Sequence, residues 1–225
     1  MLLRTIEAVG LEHKRVFAMS LLVSTDTSLE PLMPPYPVQR FTVEQYLEIA
    51  AAEVLGDERV ELLEGWIVPK MVRNSLHDGT VDLIEQLLHK LLADGWYARS
   101  QKALVSEDSV PEPDVAIVRG TPRDYFSKHP QGSDVAVAIE VAVSSINRDR
   151  RKASIYARAG VAAYWIVNLQ DRCVEVFDSL LSNDGKAQYS RQRVLKDEER
   201  LEITLDGREC SLTCNQVLPE PVSGS

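Results

Sequence analysis

Cysteine is scarce in this chain: only Cys173, Cys210 and Cys214 occur in 225 residues. Three thiols cannot build a disulfide framework. Cys210 and Cys214 have no neighbouring His or Cys to complete a metal cage, so they read as buried or incidental. Long apolar runs are missing too, and none reaches the length of a membrane-spanning helix. The first stretch, Met1 to Val23, interleaves apolar residues with Arg4, Glu7, Glu12, His13, Lys14 and Arg15. It lacks the ordered segments of a signal peptide, so a cytoplasmic protein without a membrane partner is expected. Positive charge is in deficit, with 25 Lys and Arg against 34 Asp and Glu, for a net charge of −9. That argues against coating nucleic acid by bulk electrostatics, but a metal ion can supply positive charge locally. No Gly-rich phosphate loop, no dense His/Asp cluster and no G-x-S-x-G occurs. A small-phosphate-ester hydrolase therefore ranks last among the enzyme readings, and a serine nucleophile has no support.

What is present suits one α/β domain. Residues 1–38 read as a poorly ordered N-terminal extension ending in Met33-Pro34-Pro35-Tyr36-Pro37, where proline blocks helix. Translation starting at Met19 is an alternative, which intact-mass measurement would settle. Residues 39–218 read as a single domain and 219–225 as a flexible tail. Thr42 to Glu53 is a helix candidate, with Thr42 and Gln45 as a capping box. Arg59 to Met71 reads as a hairpin turning at Glu64-Gly65, and His77 to Asp94 as an amphipathic helix stopped by Gly95. Strands are expected over Tyr97–Val105, Asp114–Val118, Asp134–Val143 and Val161–Asn168. A helix over Asn147–Ala159 separates the last two, and shorter strands follow near Val174–Phe177, Tyr189–Val194 and Leu201–Leu205. Continuously apolar strands require both sheet faces to be covered. The expected fold class is α/β, a mixed β-sheet flanked by helices.

Glu140 is the first chemical anomaly, because it interrupts Val135 to Val143, the most apolar stretch of the chain. A buried carboxylate costs several kcal/mol unless a cation, a metal or a wet cleft receives it. The ordinary explanation is a structural pair with an arginine at a strand end. Asp114 is the second; it follows Pro113 and opens a strand, where an aspartate commonly caps a turn. Together the two are more pointed. If their short strands are neighbours, the carboxylates can converge on one hard cation, and magnesium suits such a pair because it keeps waters for phosphate oxygens. Lys152 is the third. It shares a helical stripe with Ile155, Tyr156 and Ala159, so it either snorkels to solvent or aims its amine at the carboxylates. The run Arg148-Asp149-Arg150-Arg151-Lys152 is basic at a helix start, where the dipole disfavours cations. Arg148, Arg150 and Arg151 are therefore candidates for gripping phosphate as well as a solvated surface. Glu61, His77 and Gln101 are weaker, each by itself an ordinary structural residue.

The chain resembles the Uma-two family of restriction-endonuclease-like proteins, within the PD-(D/E)XK superfamily. The matching segments are Val60-Glu-Leu-Leu-Glu-Gly65, His77, Gln101, Pro111-Glu-Pro-Asp-Val115, Ile139-Glu-Val141, Ser144-Ser145, and the run from Lys152 through Tyr156 and Val161 to Asn168. The resemblance spans about Phe41 to Phe177 and rests on the number and order of these segments. It implies a restriction-endonuclease-like fold and an endodeoxyribonuclease using Mg2+ or Mn2+, with nucleic acid, DNA foremost, as partner. It also implies Asp114 and Glu140 as metal ligands, Glu61 as an extra acid near the metal, and His77 touching phosphate or water. The superfamily's lysine two residues after the second acid is replaced here by Ala142, a departure that Lys152 on the following helix can fill. The expected mechanism is in-line attack of a metal-bound water on phosphorus, with Lys152 steadying the developing charge. A homodimer is compatible with cutting two strands. The competing reading is a degenerate nuclease fold that binds or regulates, favoured by Ala142 and the net charge and disfavoured by the survival of Asp114, Glu140 and Lys152 together.

Overall fold

The computed structural model describes residues 37–56, 58–71, 73–183 and 186–220. The expectations for an N-terminal extension, a start at Met19 and a C-terminal tail fall on residues 1–36 and 221–225, outside the described residues. From Gln39 onward the described residues form one compact unit. No helix among the described residues is long and apolar enough to cross a membrane.

Helix α1, Val43–Ala51, begins at the expected capping box. The Thr42 hydroxyl accepts from the Gln45 amide at 3.2 Å, and Gln45 Oε1 accepts from the Thr42 amide at 3.0 Å. Its buried residues Val43 and Tyr46 pack with Leu62 and Val110. Strands β1, Val60–Leu63, and β2, Trp66–Pro69, form the expected antiparallel hairpin. Helix α2, Ser75–Leu91, starts two residues before the expected His77, because Asn74 is the N-cap and its side chain accepts from the His77 amide at 2.9 Å. The apolar period begins later than the cap, so periodicity alone misplaces the start.

A six-stranded sheet follows in the order β3-β4-β5-β6-β7-β8. Its strands are Trp96–Ser100, Val115–Arg119, Val135–Ala142, Ala163–Asn168, Cys173–Asn183 and Lys186–Leu195. Every neighbouring pair is antiparallel except β5 and β6, which are parallel and joined by helix α3, Ile146–Ala159. Parallel strands need such a crossover. β3 ends at Ser100 and not at Val105, because Gln101 turns the chain with φ +53. β7 and β8 are longer than their apolar cores, since a long hairpin extends by backbone pairing beyond its buried residues. A second hairpin, β9 at Arg200–Leu205 and β10 at Arg208–Thr213, turns at Asp206-Gly207, both residues at positive φ. That Asp-Gly pair is a strong turn signal, and it locates the strand β10 that alternation alone leaves undetected. A single helical turn, α4 at Cys214–Val217, follows.

The two sheet faces are covered by different layers. Val115, Ile117, Val137, Ile139 and Val141 pack with Val81, Ile84 and Leu88 of α2 and with Leu201 and Leu212 of the second hairpin. Ala116, Ala138 and Ala142, alternating with these, pack with Tyr156 of α3 and with Tyr164 and Ile166 of β6. All eight residues of β5 are buried. Full burial of each large apolar side chain contributes about 1.5–3 kcal/mol. Helix α3 ends at Gly160, in the left-handed conformation. Gly132 lies against that end: a Cβ there would sit 2.0 Å from the Ala159 carbonyl oxygen. Backbone cannot rotate aside, so Gly132→Ala is expected to lower stability by about 2–3 kcal/mol as an overpacking defect. Urea denaturation checks this; a midpoint equal to wild type would contradict it.

Candidate active site

The β4–β5 register pairs Val115 with Ile139. Asp114 is the bend residue just before β4; its side chain reaches the amide of Val141, the neighbour of Glu140, and both acids line one cleft. Pro113, with its fixed φ, precedes Asp114 and keeps Glu112 extended. Both carboxylates are buried, at 7% and 5% exposure, in the most apolar part of the sheet. They line a cleft of about 50 Å³, room for an ion with a few waters and too small for a bulky organic ligand.

Each acid is held through one oxygen. Asp114 Oδ2 accepts from the Val141 amide at 2.9 Å and lies 3.2 Å from His77 Nε2. Glu140 Oε1 accepts from Lys152 Nζ at 2.9 Å and from the Tyr156 hydroxyl at 2.8 Å. Among the described residues no hydrogen bond engages Asp114 Oδ1 or Glu140 Oε2. Lys152, 4% exposed, bridges the acids of two strands, with its amine also 2.9 Å from Glu61 Oε1. Arg148 donates to the same Glu61 oxygen at 3.0 Å.

Glu61, Asp114, Glu140 and Asp149 thus face Lys152 and Arg148 across one cleft. Lys70, Arg73 and His77 line the same cleft, so its four acids stand beside four lysines and arginines. Burial pushes the Glu140 carboxyl up to about 8; Lys152 opposes, while Asp114, Asp149 and Glu61 add to the rise. Burial would lower Lys152, yet the flanking Glu140 and Glu61 hold it above the ordinary lysine value. Burial also works against an ionised Asp114, but the bonds from His77 and Val141 outweigh it, and its pKa is lowered. The bond to Asp114 raises His77 against the opposing effect of burial. Asp149 is raised by burial, in part offset by the Ser145 hydroxyl.

These directions set a pH dependence. A group whose folded pKa is raised binds more protons folded than unfolded, so stability falls as pH climbs between the two values. For Glu140 that window runs from the ordinary 4.5 to about 8. In chelator, the melting temperature of wild type is expected to fall relative to Glu140→Gln as pH rises from about 5 to 8. Parallel thermal scans of the two proteins would expose the error if their difference stayed constant.

The donor set fits a hard divalent cation. Asp114 and Glu140 each offer an oxygen free of protein hydrogen bonds among the described residues, in a cleft that has room for waters. Among the described residues no group of three or more His, Cys, Asp or Glu is placed to cage a metal, so water or substrate oxygens would have to complete the coordination.

The residues singled out from the sequence are distributed unevenly. Asp114, Glu140, Lys152, Glu61, His77 and Arg148 all line the cleft. Arg150 turns away to pair with buried Glu175, at 2.6 and 2.9 Å, and Arg151 is exposed. Consecutive helical residues point about 100° apart, so a basic run in sequence is not one patch in space. Gln101 does not line the cleft; its side-chain oxygen accepts from Arg73, which does. The sequence did not single out Asp149 and Arg73 as cleft residues, or Tyr156 as the buried partner of Glu140. For Asp149 and Tyr156 the signal was present: Asp149, Lys152 and Tyr156 fall at i, i+3 and i+7 of α3, on the stripe read only for its lysine.

No curated protein matches the sequence. Among solved structures, a protein from Anabaena variabilis described as a "putative nuclease belonging to DUF820" superposes with a TM-score of 0.59. It is 13% identical, and the alignment covers 80% of this chain and 97% of that one, a likeness of fold. The family model described as "Putative restriction endonuclease" matches residues 43–215, which include both hairpins, the sheet and every residue of the cleft. The chain belongs to the Uma2 family.

Proposed function

We propose that this protein is a nuclease that hydrolyses phosphodiester bonds of nucleic acid, DNA foremost, with magnesium or manganese held by Asp114 and Glu140. The observation that carries this reading is the pair of buried carboxylates, each tied down through one oxygen and open at the other. Family membership points the same way. A divalent cation bound there would supply Lewis-acid charge and a water of lowered pKa.

The chain's own groups do the rest. The Val141 amide and His77 fix Asp114 in its ionised form, and Tyr156 and Lys152 fix the rotamer of Glu140. Lys152 spends two of its three N–H donors on Glu61 and Glu140, leaving one to orient a water or meet charge developing on phosphate. Glu61 holds the lysine in place, so it acts through Lys152 and not on substrate. This arrangement supplies from α3 the amine that Ala142 does not. A homodimer would present two such clefts to a duplex.

Incubation of supercoiled plasmid and labelled single strands with magnesium or manganese tests the reading. Cutting is expected to stop on adding chelator and to return when metal is restored. Cutting undiminished by chelator, or no cutting with either metal, would count against it; binding without cutting would favour the degenerate alternative.

A further inference from the structure

Arg73 differs from the other cations of the cleft. Lys152 lies between two carboxylates, Arg148 bonds Glu61, and Lys70 pairs with Glu112 at 2.8 Å. Among the described residues Arg73 has no carboxylate within ion-pair distance; its Nη1 donates to the neutral side-chain oxygen of Gln101. A neutral acceptor orients a guanidinium without cancelling its charge, which leaves a directed cation in the lining of the cleft.

Gln101 holds an unusual backbone to do this. Its φ of +53 is in the left-handed region, uncommon for a residue with a side chain. The surroundings over-determine that conformation: the Gln101 amide donates to the carbonyl oxygens of both Pro113 and Asp114, at 3.2 and 3.1 Å. The residue that orients Arg73 is therefore anchored to the backbone of one of the paired acids.

Arg73 also stands where the cleft meets a second, open groove of about 630 Å³. Lys70, Met71 and Arg73 line both, and Arg59 lines the groove. Met71 is 48% exposed there. A phosphodiester chain carries one negative charge per nucleotide, so a strand with one phosphate in the cleft must put its neighbour a few ångströms along.

We infer that Arg73 binds the phosphate adjoining the one that is cut, that Gln101 is its positioning residue, and that the substrate strand continues into the groove over Met71. This rests on the nuclease reading above. The substrate class it names is an extended strand, not a mononucleotide or small phosphate ester.

Fluorescence anisotropy with a labelled oligonucleotide, in calcium and over a range of KCl, tests the inference, alongside steady-state cleavage in magnesium. Arg73→Ala is expected to weaken binding on the order of tenfold to a hundredfold and to reduce the slope of log K against log[KCl] by about one. KM should rise while kcat changes far less. Arg73→Lys should keep the salt slope with only part of the affinity. Gln101→Asn, which tolerates positive φ but is one methylene shorter, should reproduce part of the loss. Wild-type affinity and slope in Arg73→Ala, with wild type cutting normally, overturns this inference and leaves the nuclease reading standing. Failure of wild type to bind or cut any nucleic acid overturns both.

Discussion

Asp114→Asn and Glu140→Gln are each expected to reduce single-turnover cleavage on the order of 10³-fold while leaving the fold intact. Charge stabilisation by a bound cation is worth several kcal/mol, and about 1.4 kcal/mol corresponds to a factor of ten. Each substitution keeps shape and removes one anionic oxygen donor. The two variants should differ in stability. Asp114 has its pKa lowered by His77 and Val141, so its ionised form stabilises the fold at neutral pH, and the amide loses that. Glu140 is pushed up to about 8 by burial and by three neighbouring acids, so it is already largely protonated at pH 7 and a neutral amide costs little. Asp114→Asn should therefore be the less stable of the two in chelator at pH 7. Rapid-quench cleavage with thermal scans checks both halves; either variant cutting at the wild-type rate would remove the paired-carboxylate site.

Lys152→Met is expected to cost about 3–5 kcal/mol of folding stability at neutral pH, because removing one partner of a buried ion pair strands the other. Here it leaves Glu61, 1% exposed, with Arg148 as its remaining cation among the described residues, and it removes the ammonium that favours ionised Glu140, whose carboxyl burial already pushes up to about 8. Two corollaries separate this cause from a packing defect. Adding Glu61→Gln to Lys152→Met should recover part of the loss, since the coupling is between contacting groups. Magnesium should stabilise Lys152→Met by mass action, as the logarithm of its concentration over the dissociation constant, and by more than it stabilises wild type, because the variant lacks the ammonium that competes for Glu140. Urea denaturation of the single and double variants decides; a loss below about 1 kcal/mol would mean that water already reaches these charges.

Most of the fold was legible because its elements carry local signals. The Thr42 capping box, the Glu64-Gly65 turn and the Gly160 stop each placed a boundary within a residue or two. Misplacements came where the deciding signal was not apolar spacing: Asn74 caps α2 ahead of its apolar stripe, Gln101 ends β3 by its backbone conformation, and the Asp206-Gly207 turn makes a strand of weak alternation. The anomaly of a charged residue inside β5 likewise pointed to Glu140 without coordinates.

By itself the sequence determined that buried carboxylates and a lysine on an apolar stripe had to find partners, because an uncompensated charge in a core is too costly to leave. Which partners they found was decided only by the tertiary structure. Pairing of β4 with β5 brought Asp114 into one cleft with Glu140, while packing of α3 brought Lys152 to Glu61, 91 residues away in the chain. The same packing divided the arginines, sending Arg148 to the cleft and Arg150 to Glu175. Pairing between distant segments depends on how layers dock, and that is a property of the assembled core which no local pattern encodes.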